Sequence, residues 1–281
     1  MNSTVVATVN YISNRPATGK PVLEFVTEHE ERNTMVTLPG REMVIRNARG
    51  RRTDLDREGF VLVEHTSAVS DFERIEEDPE TDELYRQEMG ELLKQVTGAD
   101  LAWMIHVGKK RFAERAVEKW SALLNAKPAR YPHADNTDTS APGQVEVAKF
   151  FMPGVDLSQY RRWALFNLWR CVSPPPQDVP LAVCDARTVR PDTDEVTVLA
   201  VTETRQRGEY RHDTTGYMYN PDHDWNYFPD MTPSEVLIFK AHDSDPSRAG
   251  RVPHTAFDDP TCPPDAPVRA SVEMRGIALF A

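Results

Sequence analysis

From about residue 145 to its last residue the chain alternates short apolar runs with turn clusters. "EVAKFFM", "ALFNLWRCV", "EVTVLAVTE", "GYMYN", "EVLIFKAH" and "ASVEMRGIALF" read as strands. They are separated by "SPPPQDVP", "NPDHDW", "FPDMTP" and "DDPTCPPDAP", and most of the 22 prolines fall in this half. Proline cannot donate to a sheet ladder, so such clusters end strands and turn the chain. Many short strands joined in this way predict a mainly β protein, an antiparallel sandwich or barrel, with helices packed on its outside.

The first half is mixed. "TVVATVNYI", "GFVLVEH" (59–65) and "DLAWMIHV" (100–107) read as strands. A helix is expected after Asp78, with Pro79 at its first position, acidic residues in its first turn, and Leu84, Leu92, Leu93 and Val96 on its buried side. "KKRFAERAVEKWSALLN" sets Phe112, Ala116, Trp120, Leu123 and Leu124 at helical spacing and predicts a second helix with a packing stripe. There is no internal repeat, no low-complexity tract and no linker that requires a second domain. The expected organisation is one domain over 1–281, with a mixed α/β part to about 128 and a strand-rich core from about 129.

Composition excludes more than it assigns. At 40% hydrophobic and 27% charged residues the chain is of ordinary globular type, and no apolar run is long enough to cross a membrane. The net charge of −11 argues against nucleic acid as the main partner. Cys171, Cys184 and Cys262 are odd in number and far apart, which supports neither a disulfide framework nor a structural zinc site; a reducing cytoplasm is expected. "MNSTVVATVNYISNRP" lacks the basic start and apolar stretch of a signal peptide.

The candidate chemistry begins at "YPHADNTD". With 8 His and 44 Asp+Glu in 281 residues, about one His-x-Asp/Glu pair arises by chance. Two occur, His133-Ala134-Asp135 and His29-Glu30-Glu31, so the motif alone carries nothing. On an extended segment, however, residues i and i+2 face the same way, and Pro132 favours extension before it. His133 and Asp135 could then share a metal with a third ligand from another strand. His254, in "RVPHTAFDDP", is the candidate. Two imidazoles and one carboxylate with open positions suit Fe(II) and O₂ chemistry; the competing reading is solvated turn residues. Fifteen residues later, "VRASVEMR" puts Arg269 and Ser271 on one strand face, continued by Glu273 and Arg275, with Val268, Ala270, Val272 and Met274 opposite. A guanidinium beside a hydroxyl is a carboxylate clamp if this face points inward, and an exposed polar face if it does not. Asn167 and Trp169 share a strand face and are candidate substrate or cosubstrate contacts. Lys240, polar within an apolar run, reads as a pocket anion contact or an exposed strand residue. His223 and His242 read as turn or surface residues. Tyr217, Tyr219, Trp225, Tyr227 and Phe228 read as a packed corner, and Arg187 as the partner of a carboxylate.

The order His-x-Asp, distant His, Arg-x-Ser on a strand-rich half resembles the Fe(II)/2-oxoglutarate-dependent oxygenases. The blocks "RRWALFNLWRCVSPPPQDVPLAVCDARTV", "YNPDHDWNYFPDMTPSEVLIFKAHDS" and "PHTAFDDPTCPPDAPVRASVEMRGIALF" look like the branch containing the cephalosporin 7α-hydroxylase component of cephamycin biosynthesis, the gibberellin-type desaturases and the aspirochlorine-pathway hydroxylases. The likeness spans roughly 55–281. Members commonly read His-Asn-Asp-Tyr-Thr where this chain has His133-Ala134-Asp135-Asn136-Thr137, so the ligand positions are kept and Asn136 departs. The resemblance implies a double-stranded β-helix, or jelly roll. It assigns Fe(II) to His133, Asp135 and His254, and the far carboxylate of 2-oxoglutarate to Arg269 with Ser271. It implies O₂-dependent hydroxylation of an unactivated C–H bond in a small, carboxylated natural product such as a cephalosporin-type β-lactam. Desaturation or oxidative cyclisation, a binding protein without turnover, and a zinc hydrolase are the alternatives. A partner enzyme of the same pathway is a further implied partner; nucleic acid and membrane are not.

Overall fold

A computed structural model describes residues 3–13, 15–16, 18–24, 32–105, 108–116, 127–204 and 208–281. The first part supplies β1 (Thr4–Val9), β2 (Val22–Glu24), β3 (Arg41–Asn47) and β4 (Phe60–Glu64). After α1 (Pro79–Thr97) come β5 (Leu101–Met104), β6 (Lys109–Phe112), the two-residue β7 (His133–Ala134) and α2 (Ala141–Phe151). The remainder is β8 (Arg162–Cys171), β9 (Leu181–Cys184), β10 (Glu195–Thr204), β11 (Gly208–Tyr217), β12 (Trp225–Tyr227), β13 (Glu235–Asp243), β14 (His254–Ala256) and β15 (Ala270–Phe280).

Among the described residues these strands form two sheets. The larger runs β1-β3-β12-β9-β14-β7-β11-β10-β2; the smaller runs β4-β13-β8-β15-β5, with β6 also paired to β15. Most pairings are antiparallel, the exceptions in the large sheet being β10 with β2 and β12 with β3. This is the mainly β architecture expected from the turn spacing, and it is jelly-roll-like, as the family resemblance implies. Strands from the first half sit in both sheets.

Side-chain alternation on β8, β13 and β15 separates two environments. Phe166, Leu168, Ile238, Val272 and Met274 point outward beneath α1, where they meet Tyr85, Met89 and Leu93. Trp169, Cys171, Leu237 and Phe239 point inward and meet Val183, Phe228 and Val252 across the gap between the sheets. The apolar face of "VRASVEMR" is therefore covered by a helix, and its polar face lines the inside of the roll. At one end, α2 covers Leu165, Ile277 and Leu279 with Ala141, Ala148 and Met152.

Three sequence expectations are corrected. Helix α1 starts where expected: Asp78 caps it by accepting from the Thr81 N–H, Pro79 opens it, and Gly98 closes it in the left-handed region at φ 67°. But Tyr85 and Met89 join Leu92 and Leu93 on its buried side, and Leu84 is 41% exposed. "EVAKFFM" belongs to α2, not to a strand: Ala141, Val145, Ala148 and Met152 fall at helical spacing on the packed face, and Phe150 faces solvent. "KKRF", expected to start a helix, is β6, held by the ladder to β15 from Ala270 to Glu273. Ala113–Ala116 of that expected helix form a turn, with the Ala116 N–H 3.0 Å from the Ala113 carbonyl, and the remainder, with Trp120, Leu123 and Leu124, lies outside the described residues.

Candidate metal centre

Pro132 and the Thr137–Ser140 turn keep β7 to two residues. In that turn the Thr137 N–H donates to Ser140 Oγ and the Ser140 N–H to Thr137 Oγ1, at 2.8 and 3.0 Å. The short strand is inserted between β14 and β11, so His133 stands opposite His254 on one side and Gly216 on the other. Residues directly opposite share a face, and the two imidazole centroids are 4.2 Å apart. Asp135, two residues on, returns to the same face. One ligand-capable atom from each of His133, Asp135 and His254 lies within 4.8 Å of the others. That face is the inner one: His254 is also opposite Val183 of the inter-sheet core, and the Phe239 ring of the other sheet lies 4.7 Å from it.

Both rings are held in one tautomer. His133 Nδ1 is 3.0 Å from the Tyr131 carbonyl and His254 Nδ1 is 3.2 Å from the Val252 carbonyl. A carbonyl only accepts, so Nδ1 carries the proton and the Nε2 lone pair is left for a metal. Burial and the neighbouring His254 push His133 down to about 4, and burial also lowers His254, so both are neutral near pH 7.

Asp135 is only 6% exposed, which by itself would raise its pKa. The Arg275 guanidinium, the two imidazoles and the Asn167 amide outweigh burial and hold it well below the usual carboxylate range. Arg275 NH2 donates to Oδ1 and Asn167 Nδ2 to Oδ2, each at 2.5 Å. A carboxylate has about four lone-pair directions, so two charge-assisted bonds, one on each oxygen, fix its orientation and still leave a lone pair on either oxygen for a cation. Glu273 completes the network, accepting from Asn167 at 3.4 Å and pairing with Arg275 Nε at 3.5 Å. Two neutral imidazoles and one ionised, oriented carboxylate fit a ferrous ion and leave a site of net positive charge.

Arg269 and Ser271 share this inner face. Arg269 is 3% exposed; its Nε donates to the Val179 carbonyl at 2.9 Å and its NH1 to Ser271 Oγ at 2.5 Å. Trp169 lies beneath the guanidinium, ring centroid to Cζ 5.9 Å. Burial pulls Arg269 down to about 10, still fully protonated near pH 7. Its NH2 has no acceptor among the described residues.

The other sequence candidates fall elsewhere. Asn167 touches the Asp135 carboxylate, and Trp169 touches Arg269. Lys240 is neither a pocket contact nor exposed: it is wholly buried on the outer side of β13, with Nζ 2.8 Å from Asp56 and 2.6 Å from Asp243. His223 and His242 are buried, not surface residues. His223 bridges Tyr11 and Asp194, and His242 stacks on Trp163. Tyr217, Trp225 and Tyr227 pack in one cluster. Arg187 pairs with the buried Asp185. Asn136 lines a small cavity with Gln144, Asn167 and Arg275. A larger surface cleft around Pro176, Tyr227 and Asp230 touches none of the cluster residues.

Sequence reasoning missed Arg111, and gave Glu273 and Arg275 a face but no role. The i, i+2 pattern of β15 carried the signal for the last two. Arg111 could be found only through the β6–β15 register, which sets it opposite Ser271.

The family described as an oxidoreductase/YMDC permease-like domain matches residues 9–279. The "Hydroxylase/desaturase efuI" of Hormonema carpetanum is 31% identical, over 99% of this chain and 95% of its own. The "Fe(II)/2-oxoglutarate-dependent dioxygenase nvfI" of Aspergillus novofumigatus is 31% identical over 79% of this chain and 76% of its own. A solved structure of the iron and α-ketoglutarate-dependent endoperoxidase NvfI superposes with a TM-score of 0.84 at 25% identity, covering 100% of this chain and 99% of that one. The chain belongs to the Fe(II)/2-oxoglutarate-dependent oxygenases of the fungal hydroxylase/desaturase type. It is an oxidoreductase whose cofactors are Fe(II), 2-oxoglutarate and O₂. No described helix is long and apolar enough to cross a membrane.

Proposed function

We propose that His133, Asp135 and His254 hold Fe(II), that Arg269 with Ser271 takes the far carboxylate of 2-oxoglutarate, and that the site oxidises an unactivated C–H bond of a small natural product. The single observation that carries this reading is the convergence of three ligand atoms within 4.8 Å, on the same inner face as a buried guanidinium. Hydroxylation is the primary outcome. Desaturation and cyclisation differ from it only in the steps after hydrogen removal, and the likeness to NvfI, an endoperoxidase, adds peroxide formation as a second. The cephalosporin-type substrate rests on the sequence resemblance alone.

When bound, the iron with 2-oxoglutarate and O₂ supplies the oxidising power; the protein's residues position and shield. The Tyr131 and Val252 carbonyls aim the two Nε2 lone pairs. Arg275 and Asn167 keep Asp135 ionised and prevent its rotation. Arg269 offers NH2 to a carboxylate, while Ser271 and Val179 fix the guanidinium plane. Phe239 and Trp169 keep water from the inner wall, which strengthens these charge contacts.

The test is spectroscopic and then catalytic. Fe(II)-loaded protein mixed anaerobically with 2-oxoglutarate is expected to show metal-to-ligand charge-transfer absorption, and to release succinate when O₂ is admitted with a small-molecule substrate panel. His133→Ala and His254→Ala are expected to abolish the absorption. Its persistence in both variants would sink the ligand assignment.

A further inference from the structure

We infer that Arg111 is the residue that reads the organic substrate: it takes a carboxylate of that substrate, so the site accepts an anionic small molecule. Strand β6 runs beside β15 with Arg111 opposite Ser271, which puts its side chain on the same inner face as Arg269, Ser271, Glu273 and Arg275. The strand itself is pinned. Lys109 Nζ donates to Glu76 at 2.6 Å and Lys110 Nζ to Glu77 at 2.9 Å. Between these anchored neighbours and Phe112, the half-buried Arg111 is tied to β15 by its backbone, while its guanidinium makes no hydrogen bond and no ion pair with any described residue. The opposite charge that acts on it most, Glu273, is already engaged by Arg275 and Asn167. Burial lowers the Arg111 pKa against the attraction of Glu273, with Arg275 adding repulsion.

A guanidinium drawn out of bulk water without acceptors is costly, and folded proteins rarely keep one unless something else completes it. The fork of an arginine matches the two oxygens of a carboxylate. This inference rests on the proposed iron and cosubstrate assignment, in which 2-oxoglutarate is already provided for: one carboxylate goes to Arg269 and Ser271, and the other end of the molecule to the metal. The charges Arg111 feels most are Glu273, Arg275 and Asp135, at the metal end of the face. A carboxylate held there belongs to the molecule being oxidised, placed beside the metal centre.

The experiment compares wild type, Arg111→Gln and Arg111→Lys. Protein loaded with Mn(II) and saturating 2-oxoglutarate is titrated with phenylacetate and octanoate, and with phenylacetamide and octanamide as uncharged counterparts, while the melting temperature is followed. The carboxylates are expected to raise the melting temperature of wild type and the amides not. Arg111→Gln is expected to weaken the carboxylate response about tenfold or more, and Arg111→Lys to recover part of it. The affinity of the Fe(II) protein for 2-oxoglutarate, read by charge-transfer absorption, is expected to stay within about twofold in Arg111→Gln. Without ligands, Arg111→Gln is expected to melt no lower than wild type, since it loses an unpaired charge rather than a bond. A fall in 2-oxoglutarate affinity with the carboxylate response intact would assign Arg111 to the cosubstrate and overturn the inference. So would equal responses to carboxylates and amides, no response in wild type, or a lower melting temperature of the unliganded variant. A missing charge-transfer band in wild type would instead undo the oxygenase reading, a result separate from the Arg111 titration.

Discussion

At the scale of single residues, charge and burial work against each other and specific partners decide the outcome. Burial raises Asp135 and lowers His133; Arg275 reverses the first, and nothing reverses the second. The stability consequence has a definite sign. In the unfolded chain a histidine takes up a proton near pH 6.5, whereas native His133, and His212 on β11 with its ring stacked on Tyr210, do so only near about 4 because of burial, and native His254 also lies below its ordinary value. Between these limits the unfolded state binds more protons, so stability is full above about pH 6.5 and is lost as pH falls towards 4. The unfolding free energy of the metal-free protein, from urea titrations, is expected to drop between pH 7.5 and 5, by up to about 1.4 kcal/mol per pH unit for each histidine. His212→Asn should flatten that slope; an unchanged slope would mean that His212 takes no part. Arg269 makes a second residue-scale prediction. Arg269→Ala is expected to weaken 2-oxoglutarate binding by about 2–3 kcal/mol, the loss of a charge-assisted contact, measured by anaerobic titration of the charge-transfer band. Unchanged affinity would remove Arg269 from the cosubstrate site while leaving the metal ligands standing.

At the scale of elements, local structure is legible in the sequence and pairing is not. Helix α1 is visible from Asp78 and Pro79 because capping chemistry acts within one turn, and the structure keeps that cap. Asp78→Ala is expected to lower the urea midpoint by removing the cap, with little change in 2-oxoglutarate affinity, since α1 packs on the outer face of the sheet. The spacing of Ala141, Val145, Ala148 and Met152 is equally local, but the Phe150-Phe151 pair gives the segment a strand-like look and hides it. By contrast, β6 escapes a sequence reading because "KKRF" is defined as a strand only by a partner more than 150 residues away. The candidate metal cluster shows both limits at once. Strand alternation correctly sets His133 with Asp135 and Arg269 with Ser271. Yet the motif stands at chance frequency, and only the order β14-β7-β11 brings His254 beside His133. Lys240 is obscure for a related reason: Asp243, which pairs with it, is only three residues away, but their burial together with Asp56 depends on an element remote in sequence.

At the scale of the whole molecule, an acidic chain encloses a basic interior. The net charge is −11, whereas Arg111, Arg269 and Arg275 line one wall of the roll near two neutral imidazoles. A dianion such as 2-oxoglutarate is repelled by the outer surface and held by the inner one, and the second effect prevails only where low dielectric and fixed donors act together. Because the proposed ligands His133, Asp135 and His254 come from two segments of the large sheet, β7 with the residue after it and β14, and Arg269 and Ser271 belong to the run through β15 in the other sheet, metal and cosubstrate bound as proposed would together tie the two sheets. Binding that favours only the native state adds stability by mass action, about 2.7 kcal/mol at a hundredfold excess over the dissociation constant. The protein is therefore expected to melt several degrees higher with Mn(II) and 2-oxoglutarate than with either alone, and EDTA should return it to the metal-free value. His254→Ala should erase the joint effect, and Arg269→Ala should erase only the part added by 2-oxoglutarate. If Mn(II) and 2-oxoglutarate each stabilise by the same amount whether or not the other is present, the metal and the guanidinium do not serve one ligand, and the two halves of the proposed site must be assigned separately.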